Sequence, residues 1–210
     1  DNGGVIFPNP NAPTGVCQDL EDVEDIIQNN QDVVVIVDEA YIDFGGRSAL
    51  ELLDKYENLL VVQTFSKSRS MAGMRVGCAF GSRTLIKYLN DVKYSFNSYT
   101  MNAPTLAAAA AVLEDEAYFR ETVSKIKATR ERVKGELREM GFTFADSQAN
   151  FLFITHPEFA ARELFEALKI KKIYVRYFNK PRIDNYLRVT IGTEQEMDEL
   201  LAFLRRYMKK

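Results

Sequence analysis

Residues 33–37 read Val-Val-Val-Ile-Val, an unbroken β-branched run closed by Asp38. A strand with one wet face alternates apolar and polar residues, whereas an unbroken run belongs to a strand covered on both faces, as in a parallel sheet with helices on either side. This segment therefore predicts a layered α/β fold. A carboxylate at the end of such a strand is costly unless it meets a cation or a hydrogen-bond donor, and Tyr41 follows three residues later. On this segment alone, Asp38 as a helix N-cap is the other account. Apolar runs at 3–7, 59–63 and 76–80 predict three more strands, and Leu20, Val23, Ile26 and Ile27 give residues 19–29 one apolar helical side. Residues 47–57 read as a short helix. This alternation argues for a mostly parallel sheet with crossover helices.

After Ser82 the pattern changes. Residues 83–92 read as helix, 93–102 as irregular chain, and a helix starts at Pro104 and contains the alanine run 107–111. Residues 116–140 predict one long charged helix bridging two domains and ended at Gly141, with most of its basic residues on a solvated face. From Phe142 the pattern is a small C-terminal α+β domain: a strand at 149–154, a helix at 157–168, strands at 173–177 and 186–191, and a last helix opened by the capping box Thr193 to Glu196. The expected division is thus a large-domain portion at 1–103, bridging helices at 104–140 and the small domain at 141–210. His156, the only histidine, precedes Pro157 and reads as a surface turn residue. Arg176 and Arg188 fall on or beside strands, where a long cation is expensive unless it reaches an edge or an anion.

The net charge of −3 supplies no general attraction to nucleic acid or to an anionic membrane, and no apolar run approaches the roughly 18 residues of a membrane span. Two cysteines, Cys17 and Cys78, make neither a disulfide framework nor a metal-ligand pattern. With no basic and apolar leader in view, the expectation is a cytoplasmic protein, without a metal, acting on a small molecule or another protein. The stretch Thr64-Phe-Ser-Lys-Ser-Arg-Ser-Met-Ala-Gly-Met-Arg75 leaves the carboxyl end of an apolar strand, the end where open α/β sheets place their ligands. A nucleophilic lysine must be a free amine, a form that the neighbouring Arg69 and Arg75 favour at Lys67. Taken alone, the same stretch is a solvated basic loop.

The ordered set Asn9-Pro-Asn-Ala-Pro-Thr-Gly15, Asp38 with Tyr41, Thr64-Phe-Ser-Lys67 with Arg75, and Leu187-Arg-Val-Thr-Ile-Gly192 resembles the fold-type-I pyridoxal-phosphate aminotransferases over nearly the whole chain. Residues 37–44, 95–99, 147–151 and 174–177 look most like the histidinol-phosphate aminotransferase family. The resemblance implies that Lys67 carries pyridoxal 5'-phosphate and shuttles a proton, that Asp38 pairs with the pyridine nitrogen, and that Tyr41 donates to the phenolic oxygen. It places Thr64, Ser66 and Arg75 on the phosphate, and Arg188, Arg176 and Asn150 at the anion of histidinol phosphate or glutamate/2-oxoglutarate. A homodimer is implied as well. The family commonly has asparagine where this chain has Ala12, so either Asn11 takes over the ring contact or the contact is lost. Family members also carry well over a hundred residues before this point, so the expectation is a C-terminal portion, largely cofactor-free and inactive. A related pyridoxal-phosphate lyase such as a phosphothreonine decarboxylase, and a non-catalytic fragment, stay open as alternatives.

Overall fold

The computed structural model describes residues 2–209. The chain divides into two compact units, one made of residues up to Asn11 with Cys17–Glu121, the other of Ala12–Val16 with the residues from Thr122 onward.

The first unit is built on β1 (Val5–Pro8), β2 (Val35–Asp38), β3 (Leu59–Thr64) and β4 (Gly77–Gly81), which lie in that order in one sheet. The first three strands run parallel, with Pro8 opposite Asp38 and Asp38 opposite Val62, so their carboxyl ends share one edge. β4 pairs antiparallel with β3. The sheet is therefore mostly parallel, as the β-branched runs predict. Helix α1 (Leu20–Gln28) turns Leu20, Val23 and Ile27 onto Val35, Val37, Leu59 and Val61, and these residues are the core of the unit. The helix expected at 47–57 is only a 3-10 turn, Ala49–Leu52, capped by the Ser48 hydroxyl. One reason is that the Glu39 carboxylate takes the Ala49 N–H and ties this stretch to the end of β2. Helix α2 (Arg83–Phe96) runs past the expected end at 92, and Ser95 Oγ bonds back to Asp91 O within it. Helix α3 (Ala103–Glu114) follows, with Asn102 as its N-cap.

Helix α4 (Glu116–Glu139) runs from the first unit into the second. It ends where a helix without a following glycine would be strained: Gly141 has φ +85°, Phe142 N–H reaches Leu137 O, and Gly141 N–H reaches Arg138 O. The second unit packs α4, α5 (Ala161–Ile170) and α6 (Glu194–Met208) with a sheet of β5 (Phe151–Ile154), β7 (Leu187–Thr190) and β6 (Arg176–Tyr177), in the order β5-β7-β6, every pairing antiparallel. Leu137, Leu152, Leu164, Leu187 and Leu200 lie at the centre of its core. The capping box at Thr193 and Glu196 forms as read from the sequence.

α5 starts at Ala161 rather than 157, because His156 Nδ1 accepts the Glu158 N–H and bends the chain. His156 is not a surface residue but 6% exposed, packed edge-on between Phe142 and Phe159 with Nε2 on Met140 O. β6 is two residues long because Lys172, at φ +61°, closes α5 in a Schellman turn that directs Ile173 N–H to Leu168 O. Most basic residues of α4 are solvated as expected, Arg120–Glu116 and Arg132–Glu136 being i,i+4 pairs, and the exceptions are Arg130 and Lys134, 3% and 2% exposed. Among the described residues, no helix is long and apolar enough to cross a membrane.

Candidate active site

The parallel register brings three strand ends to one edge of the first sheet. There Asn9 N–H bonds Asp38 O, and Glu39 N–H bonds Val62 O, so the residue leaving β1 is held beside β2 and the one leaving β2 beside β3. Asp38 spends Oδ1 on the Ala40 N–H. It makes a tight turn, followed by a short 3-10 stretch, Ile42–Phe44, so the N-cap account fails for want of an α-helix. Tyr41 stands on this turn, and Lys67 Nζ lies 5.6 Å from the centroid of its ring. Asn11 is half-buried, beyond the carboxyl end of β1.

Lys67 sits on a loop that leaves β3 and returns as β4. Phe65 N–H reaches Val76 O and Met71 N–H reaches Phe65 O, which closes the loop on itself. The close approach requires Gly77, because a Cβ there would stand 2.9 Å from Gln63 O. Thr64 Oγ1 lies 2.9 Å from Ser66 Oγ and also accepts the Ser66 N–H. Arg75 takes a left-handed conformation, φ +57°, and donates to Ala72 O at 2.8 Å. Ser70 is left-handed too, at φ +56°. Such conformations cost a non-glycine residue about 1–3 kcal/mol each and concentrate at functional sites. Two hydroxyls and a guanidinium at one strand end are a donor set that suits a phosphate group. Arg69 is engaged elsewhere: its guanidinium lies 4.0 Å from the Phe119 ring centroid and donates to Val112 O, fastening the loop to α3 and α4.

Two supports of the site escape the sequence reading. Glu39 is 2% exposed, and its carboxylate accepts from Ser48 Oγ, Ala49 N–H and Gln63 Nε2. Burial pushes its pKa up, against those hydrogen bonds. Asp43 takes a short hydrogen bond from the Ser68 hydroxyl, which joins the turn bearing Tyr41 to the loop bearing Lys67. The signals that could have found them are an acidic residue directly after the strand-ending Asp38 and another two after Tyr41.

In the second unit, Arg188 occupies β7, the central strand, and so is not an edge-strand arginine. Its guanidinium lies 5.0 Å from the Phe151 ring centroid and 5.9 Å from that of Phe178, and its buried Nε has no hydrogen-bond partner. Arg176, on the exposed edge strand, is its direct cross-strand neighbour. Like charges placed opposite each other repel, so this pair is suited to hold an anion. Asn150 precedes β5, and its carbonyl accepts the Ile191 N–H.

A family model described as aminotransferase class I and II matches residues 1–204. The chain belongs to this family. Histidinol-phosphate aminotransferases from Lactococcus lactis subsp. cremoris (strain SK11) and Hydrogenovibrio crunogenus are each 53% identical to it over 209 residues. The chain spans about 59% of the length of these curated relatives, which cover 100% of it. A crystal structure of histidinol-phosphate aminotransferase from Sinorhizobium meliloti, in complex with pyridoxal-5'-phosphate, superposes with a TM-score of 0.88 at 26% identity, covering 99% of this chain and 57% of that one. The aminotransferase fold thus accounts for the strand order of the first sheet and for the small second unit alike.

Proposed function

We propose that the protein is a pyridoxal-phosphate-dependent aminotransferase that exchanges an amino group between histidinol phosphate and 2-oxoglutarate. The observation that carries this reading is the meeting of Asp38, Tyr41, Thr64, Ser66, Lys67 and Arg75 at one sheet edge, with Lys67 Nζ 5.6 Å from the Tyr41 ring centroid. The names of the relatives, at 53% identity, support the choice of amino donor.

The residues present fit the cofactor. The hydroxyls of Thr64 and Ser66 and the Arg75 fork supply phosphate donors, Asp38 has one carboxylate oxygen left over from its turn, and Lys67 is exposed on its loop. When bound, pyridoxal phosphate supplies an electron sink for charge developing at the substrate α-carbon. Lys67 would hold it covalently and, once displaced by the amine of the donor, Lys67 Nζ would carry the proton between the α-carbon and the cofactor. The Asp38 carboxylate would accept the ring N–H and keep that proton in place. Tyr41 would donate its hydroxyl to the phenolic oxygen, and Asn11 would supply the ring contact expected where Ala12 lies. Arg188, with Arg176 and Asn150, binds the phosphate of histidinol phosphate in one half-reaction and the carboxylate of glutamate in the other. The same reading makes the protein a cytoplasmic homodimer in its full-length form, acting on small molecules and on neither nucleic acid nor membrane.

Incubating the cofactor-loaded protein with histidinol phosphate and 2-oxoglutarate tests the proposal. Glutamate should form in step with loss of the donor amine. Release of carbon dioxide without glutamate would assign the protein to the lyases instead, and neither product would refute both.

A further inference from the structure

Two cations on α4 are buried where the charge pattern of the helix places them in solvent. Lys134 Nζ lies 2.7 Å from Asp146 Oδ1, 2.9 Å and 3.2 Å from the two Glu131 oxygens, and 3.2 Å from Ser147 O. One turn earlier, Arg130 Nη1 donates to Ala149 O at 2.9 Å and Nε to Glu131 Oε1 at 3.0 Å. Burying a cation is expensive unless every donor is matched by a fixed acceptor. Here two of those acceptors are backbone carbonyls of residues 147 and 149, directly ahead of Asn150. Ser147, fully buried, extends the connection: its hydroxyl donates to Phe151 O at 2.6 Å and accepts the Ala149 N–H at 3.1 Å. Phe151 is the residue whose ring lies 5.0 Å from the Arg188 guanidinium.

We infer that Lys134 and Arg130 are positioning residues for substrate anion binding, setting through Ser147 where Asn150 and the Phe151 ring stand and hence where Arg188 points. The inference rests on the reading of Arg188 as the substrate-anion arginine. α4 reaches the neighbourhood of Arg188 through the carbonyls of Ser147 and Ala149 and the Ser147 hydroxyl, and neither Lys134 nor Arg130 is assigned a contact with substrate or cofactor. Removing the Lys134 ammonium therefore loosens the anion subsite while Lys67, Asp38 and Tyr41, which stand in the first unit, keep their chemistry. The carboxylates of Asp146 and Glu131 are 67% and 57% exposed, so Lys134→Met leaves no buried carboxylate behind and is compatible with folding.

The test is steady-state kinetics of the full-length holoenzyme with histidinol phosphate and 2-oxoglutarate, for Lys134→Met, Ser147→Ala, Arg188→Leu and Arg205→Ala. The last variant breaks an exposed α6-to-α4 ion pair with Glu136, and so reports loss of helix packing alone. Lys134→Met should raise KM for both substrates by about tenfold, below the roughly 10²-fold that a 1 Å misplacement near the chemistry can cost, with kcat changed far less. Ser147→Ala should give the same pattern, smaller, and Arg205→Ala should leave both KM values unchanged. If Lys134→Met does not fold, Ser147→Ala decides by the same criterion. Raised KM values in Arg188→Leu with none in Lys134→Met and Ser147→Ala would overturn the inference and leave the reading of Arg188 standing. Unchanged KM values in Arg188→Leu would overturn both.

Discussion

The proposed function gives Lys67, Asp38 and Arg188 each a task that a near neighbour in chemistry could not perform. An amide at position 38 retains the size of the carboxylate but not its charge, and the loss of one preorganised electrostatic partner costs about 10²–10³ in kcat. Asp38→Asn should therefore slow transamination by that order while circular dichroism stays as in the parent; full activity would remove Asp38 from the mechanism. Arg188→Leu should weaken both substrates, since a buried anion left without its fork loses about 2–5 kcal/mol, and KM values for both read it out. Glu39 offers a pH test. Its pKa is raised in the fold, chiefly by burial, so the stabilisation from its protonated form is complete below the unfolded glutamate pKa of about 4.3 and is lost as pH rises through the folded value. Thermal melts of Glu39→Gln between pH 4 and 7 should accordingly lack this decline, whereas an unchanged profile would show that another group causes it.

The strands are legible as elements because their apolar runs sit between turn residues, and a mostly parallel sheet follows from their alternation with helical segments. What stays hidden depends on which side of an element a residue faces. Ile126, Arg130, Val133, Lys134 and Leu137 share one helical stripe of α4. That spacing, rather than residue type, marks the two cations as inward-facing. Pro157 points to the wrong start for α5 because a buried histidine sets the bend. For the site, the strand-end residues Asp38, Thr64 and Ser66 can be read from position alone. The central placement of Arg188 cannot, because it depends on β6 and β7 pairing across a loop of unpatterned residues. Gly77 gives an element-scale prediction: any Cβ at this position would stand only 2.9 Å from Gln63 O, so Gly77→Val should separate β4 from β3, lower Tm and loosen the lysine loop. Hydrogen exchange at residues 64–77 measures this, and protection equal to the parent would contradict it.

At the scale of the whole chain, each unit has its own core, and acid should act on them differently. In the second unit the hydrogen bond from Lys134 holds the Asp146 pKa below its ordinary value; at Glu131 partial burial opposes ionisation, but the bonds from Lys134 and Arg130 outweigh it. Stabilisation from these carboxylates is present above their unfolded pKa values of about 3.9–4.3 and is lost as pH falls through the lowered folded values. The second unit should therefore melt first on acidification, with Lys134→Met flattening the dependence. The proposed function depends on Lys67 being the residue that carries the cofactor. The direct measurement is borohydride reduction of the full-length protein loaded with pyridoxal phosphate, followed by peptide mass mapping. The account predicts a single pyridoxyl-labelled peptide with the label on Lys67, absent from Lys67→Ala; a stoichiometric label on any other lysine, or one that persists in Lys67→Ala, would contradict it.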